Sequence, residues 1–182
     1  HSTALHCHIR GRGSYQVGPL ARLLLNRDRL SAVASAAFET LADRFEQPDP
    51  AASVFARGIE ALQAIDEALA VIDDFDPSTT EASGWEPRAG RAAWATEAPR
   101  GVLWVEVATE ASGHVEEIRI VPPTSQNQAR IEEDLRDLVP SLLHVTDDEL
   151  RHGCEAAIRD YDPCISCATH FLTLHIDRRG QA

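Results

Sequence analysis

Between Asp49-Pro50 and Asp73, the apolar residues Val54, Ile59, Leu62, Ile65, Leu69 and Ile72 recur mostly at intervals of three and four. That spacing places all six on one side of a single long α-helix, because residues so separated stack one above the other. Pro50 suits the start of such a helix, where the missing N–H would be unpaired in any case. The stripe is therefore expected to be ordinary core packing, and whatever else the chain does must be built around it. A shorter helix is expected before it, capped by Asp28 and running through Ala36 and Leu41 to about Phe45. Ahead of that, a polar start with Arg10-Gly11-Arg12-Gly13 gives way to the apolar stretch Val17-Gly18-Pro19-Leu20-Ala21-Arg22-Leu23-Leu24-Leu25.

Beyond the stripe, Asp73 to Thr96 is rich in Pro, Gly, Ser, Thr and charge and reads as a long surface connection. Gly101 to Val107 and Val115 to Val121 have strand character, with a turn through Glu110-Ala111-Ser112-Gly113, and so form a hairpin. Pro122-Pro123 ends its second strand, and Thr124 or Ser125 caps a helix through Ala129, Ile131, Leu135 and Leu138. A last helix starts at Asp147-Asp148 and passes Leu150, Cys154, Ala157 and Ile158 before breaking at Asp162-Pro163. The fold class is mainly α with a small β-hairpin, in one domain over residues 1–182.

Composition excludes several functions. Hydrophobic residues make up 43% and charged residues 25%, the balance of a globular chain. A formal net charge of -12 argues against nucleic acid, whose phosphates need clustered basic side chains. No apolar run approaches the roughly 20 residues of a membrane-spanning helix. All 17 basic residues are Arg, Met is absent, and the chain opens on His1, as expected of a portion or a processed product of a longer polypeptide.

The four cysteines are Cys7, Cys154, Cys164 and Cys167, too few for a disulfide scaffold and crowded toward the C-terminus. The densest constellation is Asp162-Pro163-Cys164-Ile165-Ser166-Cys167-Ala168-Thr169-His170. If Pro163 opens a helical turn, Cys164 and Cys167 aim both sulfurs at one point and His170 falls on the same face. The positive end of such a turn lowers thiolate pKa values, which favours metal binding or redox exchange. A c-type haem site fails because Ala168, not His, follows the second cysteine. A thioredoxin-like pair should follow a strand, and a helix precedes this one. Zinc needs two further ligands, for which His170 and either Cys154 or a histidine near Cys7 are candidates, although the spacings match no common finger. Zinc, another metal, redox exchange and no special role all stay open on spacing alone. Cys154, flanked by apolar residues, reads as a small buried hydrophobe.

The stretch Asp162 to His170 resembles the C-terminal D-P-C-x-x-C-x-x-H signature of the [NiFe]-hydrogenase large (alpha, catalytic) subunit. Three more stretches agree in order. Ser14 to Arg22 resembles the family's Y-x-V-G-P-L-A-R segment, Glu97 to Gly101 its E-A-P-R-G, and Val121 to Asn127 its V-P-x-T-x-x-N loop before a helix. The motifs are most similar to those of the cytoplasmic branch, linked to pyridine nucleotides or F420.

The resemblance implies a fold, a cofactor and partners. The fold would be the C-terminal part of the large-subunit fold, and the cofactor nickel with an iron carrying CO and cyanide. Cys164 would be a terminal nickel ligand and the base that takes the proton when dihydrogen is split, and Cys167 a nickel–iron bridge. Arg100 would lie over the vacant metal position as a cation and bond Asp162. Thr124, or Ser125 in a slipped register, would donate a hydrogen bond to an iron-bound cyanide, and Pro163 would pack on the diatomic ligands. His170 would ligate a magnesium (or iron) ion. Implied partners are an Fe–S small subunit, diaphorase or other electron-transfer subunits, a maturation endopeptidase and nickel-insertion proteins, all in the cytoplasm. Bland readings stand beside these: Arg100 as a surface salt-bridge partner, Thr124 as an N-cap alone, and His170 as a solvated residue. A structural zinc module or a metal-free homologue acting as an assembly partner are the alternative functions.

Two departures qualify the resemblance. The family's other cysteine pair, in an R-x-C-G-x-C motif with an acidic proton-relay residue, has no counterpart here; Cys7 stands in His6-Cys7-His8. By itself the chain is thus expected to be inactive. The family's precursor is cut just after the final histidine, yet Phe171 to Ala182 follow His170, so residues 170–182 read as an unprocessed maturation tail. Val105 stands near where many relatives carry a histidine.

Overall fold

The computed structural model describes residues 6–77, 84, 86–164 and 175, and among these it holds five α-helices and one antiparallel sheet. The apolar stretch after Val17 becomes helix α1, Pro19–Asn26, opened by proline at its first position. The helix expected from Asp28 to Phe45 is broken into pieces. A 3-10 turn spans Arg27–Arg29, Leu30 is extended, and α2 covers Ala32–Thr40, followed by a second 3-10 turn at Ala42–Phe45. The cap is Ser31, not Asp28: its hydroxyl accepts from the Ala34 amide, and it donates to Asp66 at 2.6 Å. Ser31 is tied into the neighbouring helix, so the chain restarts there.

Helix α3, Ala52–Asp73, begins as the sequence indicates, with the Asp49 carboxylate taking the Ala52 amide at 3.1 Å. Its first half is buried against α1 and α2. Leu20, Leu23, Ala34, Phe45, Ala52, Ala56 and Ile59 form one core, with Phe38 and Phe45 stacked at 5.2 Å. The stripe does not continue as core. Ile59 is 1% exposed, whereas Ile65, Leu69 and Ile72 are 58%, 56% and 68% exposed. Val54 is half exposed, and Leu62 lies at the margin.

The segment read as a surface connection is strand in its second half. β1, Gly90–Ala98, pairs with β2, Gly101–Thr109, and β2 pairs with β3, Val115–Val121, so the expected hairpin gains a third strand. Alternating Ala residues gave β1 no hydrophobic period, and pairing supplies what pattern lacked. One face of the sheet carries Ala92, Val107 and Ile118 in one row and Trp94, Val105 and Ile120 in the next. On the other face, Arg91 and Arg119 each bridge Glu106 and Glu117.

Helix α4, Pro123–Leu138, and α5, Asp147–Asp160, form a pair joined by a 3-10 turn, with Leu142 seated against Gly153. Thr146 and Glu149 make a reciprocal capping box at the start of α5. Neither Thr124 nor Ser125 caps α4; the cap residue is Pro122, and both hydroxyl residues lie inside the helix. Among the described residues no helix is long and apolar enough to cross a membrane.

Candidate metal centre

Four consecutive polar residues at the start of α4, Thr124, Ser125, Gln126 and Asn127, are buried. Buried polar groups require partners, and three of these find them in or next to the other three motif stretches. Asn127 holds both backbone groups of Val17, accepting from its amide at 2.8 Å and donating to its carbonyl at 3.0 Å. Gln126 donates to Val102 O at 2.5 Å and accepts from the Tyr15 hydroxyl at 3.2 Å. Thr124 Oγ1 accepts from the Cys164 amide at 3.1 Å. Ser125 is buried beside them with no side-chain hydrogen bond to another described residue.

Two glycines let the backbones approach this closely. At Gly18 (φ 119°) an added Cβ would stand 2.9 Å from Arg100 O, and at Gly101 (φ 132°) it would stand 2.7 Å from Val17 Cγ2 and 3.0 Å from Pro123 Cβ. Both lie in backbone space that favours glycine. Residues 99 and 100 form the two-residue turn between β1 and β2, since Ala98 pairs with Gly101. The turn presents Arg100 to the end of α5. Arg100 Nε donates to Asp162 O at 2.9 Å and lies 3.4 Å from its carboxylate. Nη1 and Nη2 of Arg100 make no hydrogen bond to another described residue.

Asp162 follows the C-cap of α5 with φ 47°, a left-handed step that Asp tolerates and that stops the helix before Pro163. The same step turns the chain so that Cys164 meets Thr124. The expected Arg100–Asp162 contact thus exists, but chiefly through the backbone carbonyl. Arg100, Asp162, Pro163, Cys164 and Thr124 are brought together; Cys167, His170 and the tail 170–182 lie outside the described residues, apart from His175.

Arg22, Tyr15, Gln126 and Asn127 were not singled out as site residues, though the first two and Asn127 stand at fixed letters of the matched motifs. Arg22 makes a bidentate pair with Glu60 at 2.7 Å and 2.7 Å and a contact with Glu97 at 2.5 Å. Burial works against its charge, yet the bonds and charges of Glu60 and Glu97 hold its pKa above the ordinary value. At the base of the same region Tyr161 donates to Asp134, which Arg130 also pairs; burial, then this bond, push the phenol well above its usual range.

The described residues include no group of three or more His, Cys, Asp or Glu able to hold a metal. Cys154 is buried on α5, and burial raises its thiol pKa. Cys164, its amide on Thr124 Oγ1, follows two residues after the Asp162 that Arg100 holds, so one thiol donor stands beside that pair.

Comparison with known proteins agrees with this arrangement. The family model described as nickel-dependent hydrogenase matches residues 10–170. The chain is 31% identical over 182 residues to sulfhydrogenase 1 subunit alpha of Pyrococcus furiosus, covering 96% of this chain and 41% of that protein. It is 28% identical to the NAD-reducing hydrogenase HoxS subunit beta of Cupriavidus necator, covering 90% of this chain and 35% of that one. Its fold is similar to an NAD+-reducing [NiFe]-hydrogenase in the H2-reduced state, with TM-score 0.73 and 31% identity over 88% of this chain and 37% of the other. Four motif stretches meeting around one cysteine, and a family match over nearly their whole span, place this chain in the nickel-dependent hydrogenase family, as part of a [NiFe]-hydrogenase large subunit.

Proposed function

We propose that the chain supplies one half of a nickel–iron site in a hydrogenase large subunit that interconverts dihydrogen with protons and electrons. The observation that carries this is that Arg100 holds Asp162 while Thr124 holds Cys164, two residues further along the same motif. In this reading Cys164 and Cys167 would hold a nickel–iron group whose iron carries CO and cyanide. The metal pair supplies a soft, electron-rich centre for heterolytic cleavage. Thr124 takes the Cys164 amide with an oxygen lone pair, so its own proton stays available for a cyanide nitrogen. Ser125, buried beside it, is the second candidate donor. Arg100 is anchored by Nε and keeps its outer nitrogens for the open metal position. Cys164 Sγ would act as the base that accepts the proton. His170 would hold a magnesium (or iron) ion.

The chain spans 41% of the sulfhydrogenase subunit it matches and contains no second Cys-x-x-Cys. The remaining thiolates are therefore proposed to come from the rest of the subunit, without which this portion is inactive. Electrons would leave through an Fe–S small subunit toward a soluble acceptor such as NAD, by way of diaphorase-type subunits, in the cytoplasm. Nickel insertion and a maturation endopeptidase acting near His170 complete the reading. Metal analysis and infrared spectroscopy of the assembled subunit test it: bands of metal-bound CO and cyanide with bound nickel are expected, and zinc alone overturns it. Cys164→Ala should lose nickel. Arg100→Lys should keep both metals and lower H2 turnover about 100-fold, the order expected for removing one aligned electrostatic donor.

A further inference from the structure

We infer that Arg22 is a positioning residue for Arg100, an inference resting on the role proposed for Arg100 above. The guanidinium of Arg22 donates through Nη1 to Ala98 O at 2.8 Å and through Nη2 to Pro99 O at 2.8 Å. These are the two carbonyls immediately before Arg100. The turn they belong to is only two residues long, so fixing both carbonyls leaves little freedom in where Arg100 is presented. The other edge of the fork is aligned by Glu60 of α3, at 2.7 Å to both Nε and Nη2. Behind the turn, Gly18, four residues before Arg22 on the same helix start, lies directly against Arg100 O. The helix that carries Arg22 thus both packs on the turn at its start and hydrogen-bonds it through Arg22.

Charge alone does not account for this arrangement. A lysine could neutralise Glu60 and Glu97, but one ammonium cannot span two carbonyls and two carboxylates in fixed directions. A clamp of this kind acts through Arg100 and touches no reacting atom. Its loss should move the Arg100 guanidinium without emptying the site.

The test is Arg22→Lys in the assembled large subunit with its small subunit. Deuterium uptake of the peptide covering residues 97–102 should rise about 10-fold in rate, as for loss of a set of charged hydrogen bonds. Turnover should fall about 10-fold, with unchanged KM for H2, full metal content and unshifted CO and cyanide bands. Unchanged deuterium uptake overturns the inference. Faster uptake with full turnover upholds the clamp and overturns the role given to Arg100. Should Arg22→Lys fail to assemble, Glu60→Gln decides by the same readings, because it keeps the shape of the clamp and removes the charge that aligns it. An effect of about 3-fold is expected there, and none at all overturns the inference.

Discussion

The two halves of α3 are written in the same hydrophobic spacing and have opposite surroundings. Ala52, Ser53, Ala56 and Ile59 are closed in by α1, α2 and the turn ending at Phe45. From Leu62 onward, Ile65, Leu69 and Ile72 face outward, joined by Val71 and Phe75. Periodicity therefore reports which side of a helix is apolar, and it carries no information about whether anything covers that side. Most of the large residues sit on the uncovered half, while two alanines, a serine and Ile59 line the covered one. Close helix packing in the first half demands small side chains, and the open stripe is left uncovered among the described residues.

Ile59→Ala sharpens the comparison most. Ile59 is among the largest fully buried side chains, so its truncation leaves a cavity. A loss of about 2–5 kcal/mol is expected from chemical denaturation of the chain. A loss no greater than that of an exposed stripe residue would mean that the first half of α3 is not core.

Gly101→Ala ranks next and probes the motif junction instead of the helical core. An added methyl there meets Val17, Gly18 and Pro123, and the residue's φ of 132° is unfavourable for any L side chain. About 1–3 kcal/mol of strain is expected, together with a displaced Arg100. The measurement is thermal or urea unfolding, paired with deuterium uptake over residues 97–102. Stability unchanged within error would show that the three backbones are not tightly apposed in solution.

The junction also shows what could be read from residues alone. The cysteine pair stands out by its spacing, and Arg100, Asp162 and Thr124 only through the motifs that resemble the hydrogenase family; the structure brings the described ones together. Arg22, Gln126 and Asn127 are commonplace on helices, and only their long-range bonds to Glu60, Val102 and Val17 reveal what they do. Helix α5, the start of α3 and the β2–β3 hairpin were legible from caps, prolines and turn residues. β1 was hidden because Ala92, Ala93 and Ala95 give it no alternation, and its stability comes from pairing with β2. The break at Leu30 was hidden because Ser31 is tied to Gln63 and Asp66, residues more than thirty positions away. Local signals mark where elements begin; which neighbours they meet depends on contacts no window contains.

Leu69→Ser bears on the other half of α3 and has the smallest expected effect in this chain. The side chain is 56% exposed, so little transfer free energy is lost, and serine lowers helix propensity only slightly. Unfolding of the chain should shift by less than about 0.5 kcal/mol. In the assembled large subunit the same substitution should cost about 2 kcal/mol, because the rest of the polypeptide is proposed to pack on this stripe and bury the leucine. Ile72→Ser should behave alike, being 68% exposed on the same stripe. The pair of measurements separates two reasons for an apolar face. A cost confined to the assembled subunit marks the stripe as a covered interface between portions of one fold. Equal small effects in both settings would break that idea and leave the second half of α3 as surface.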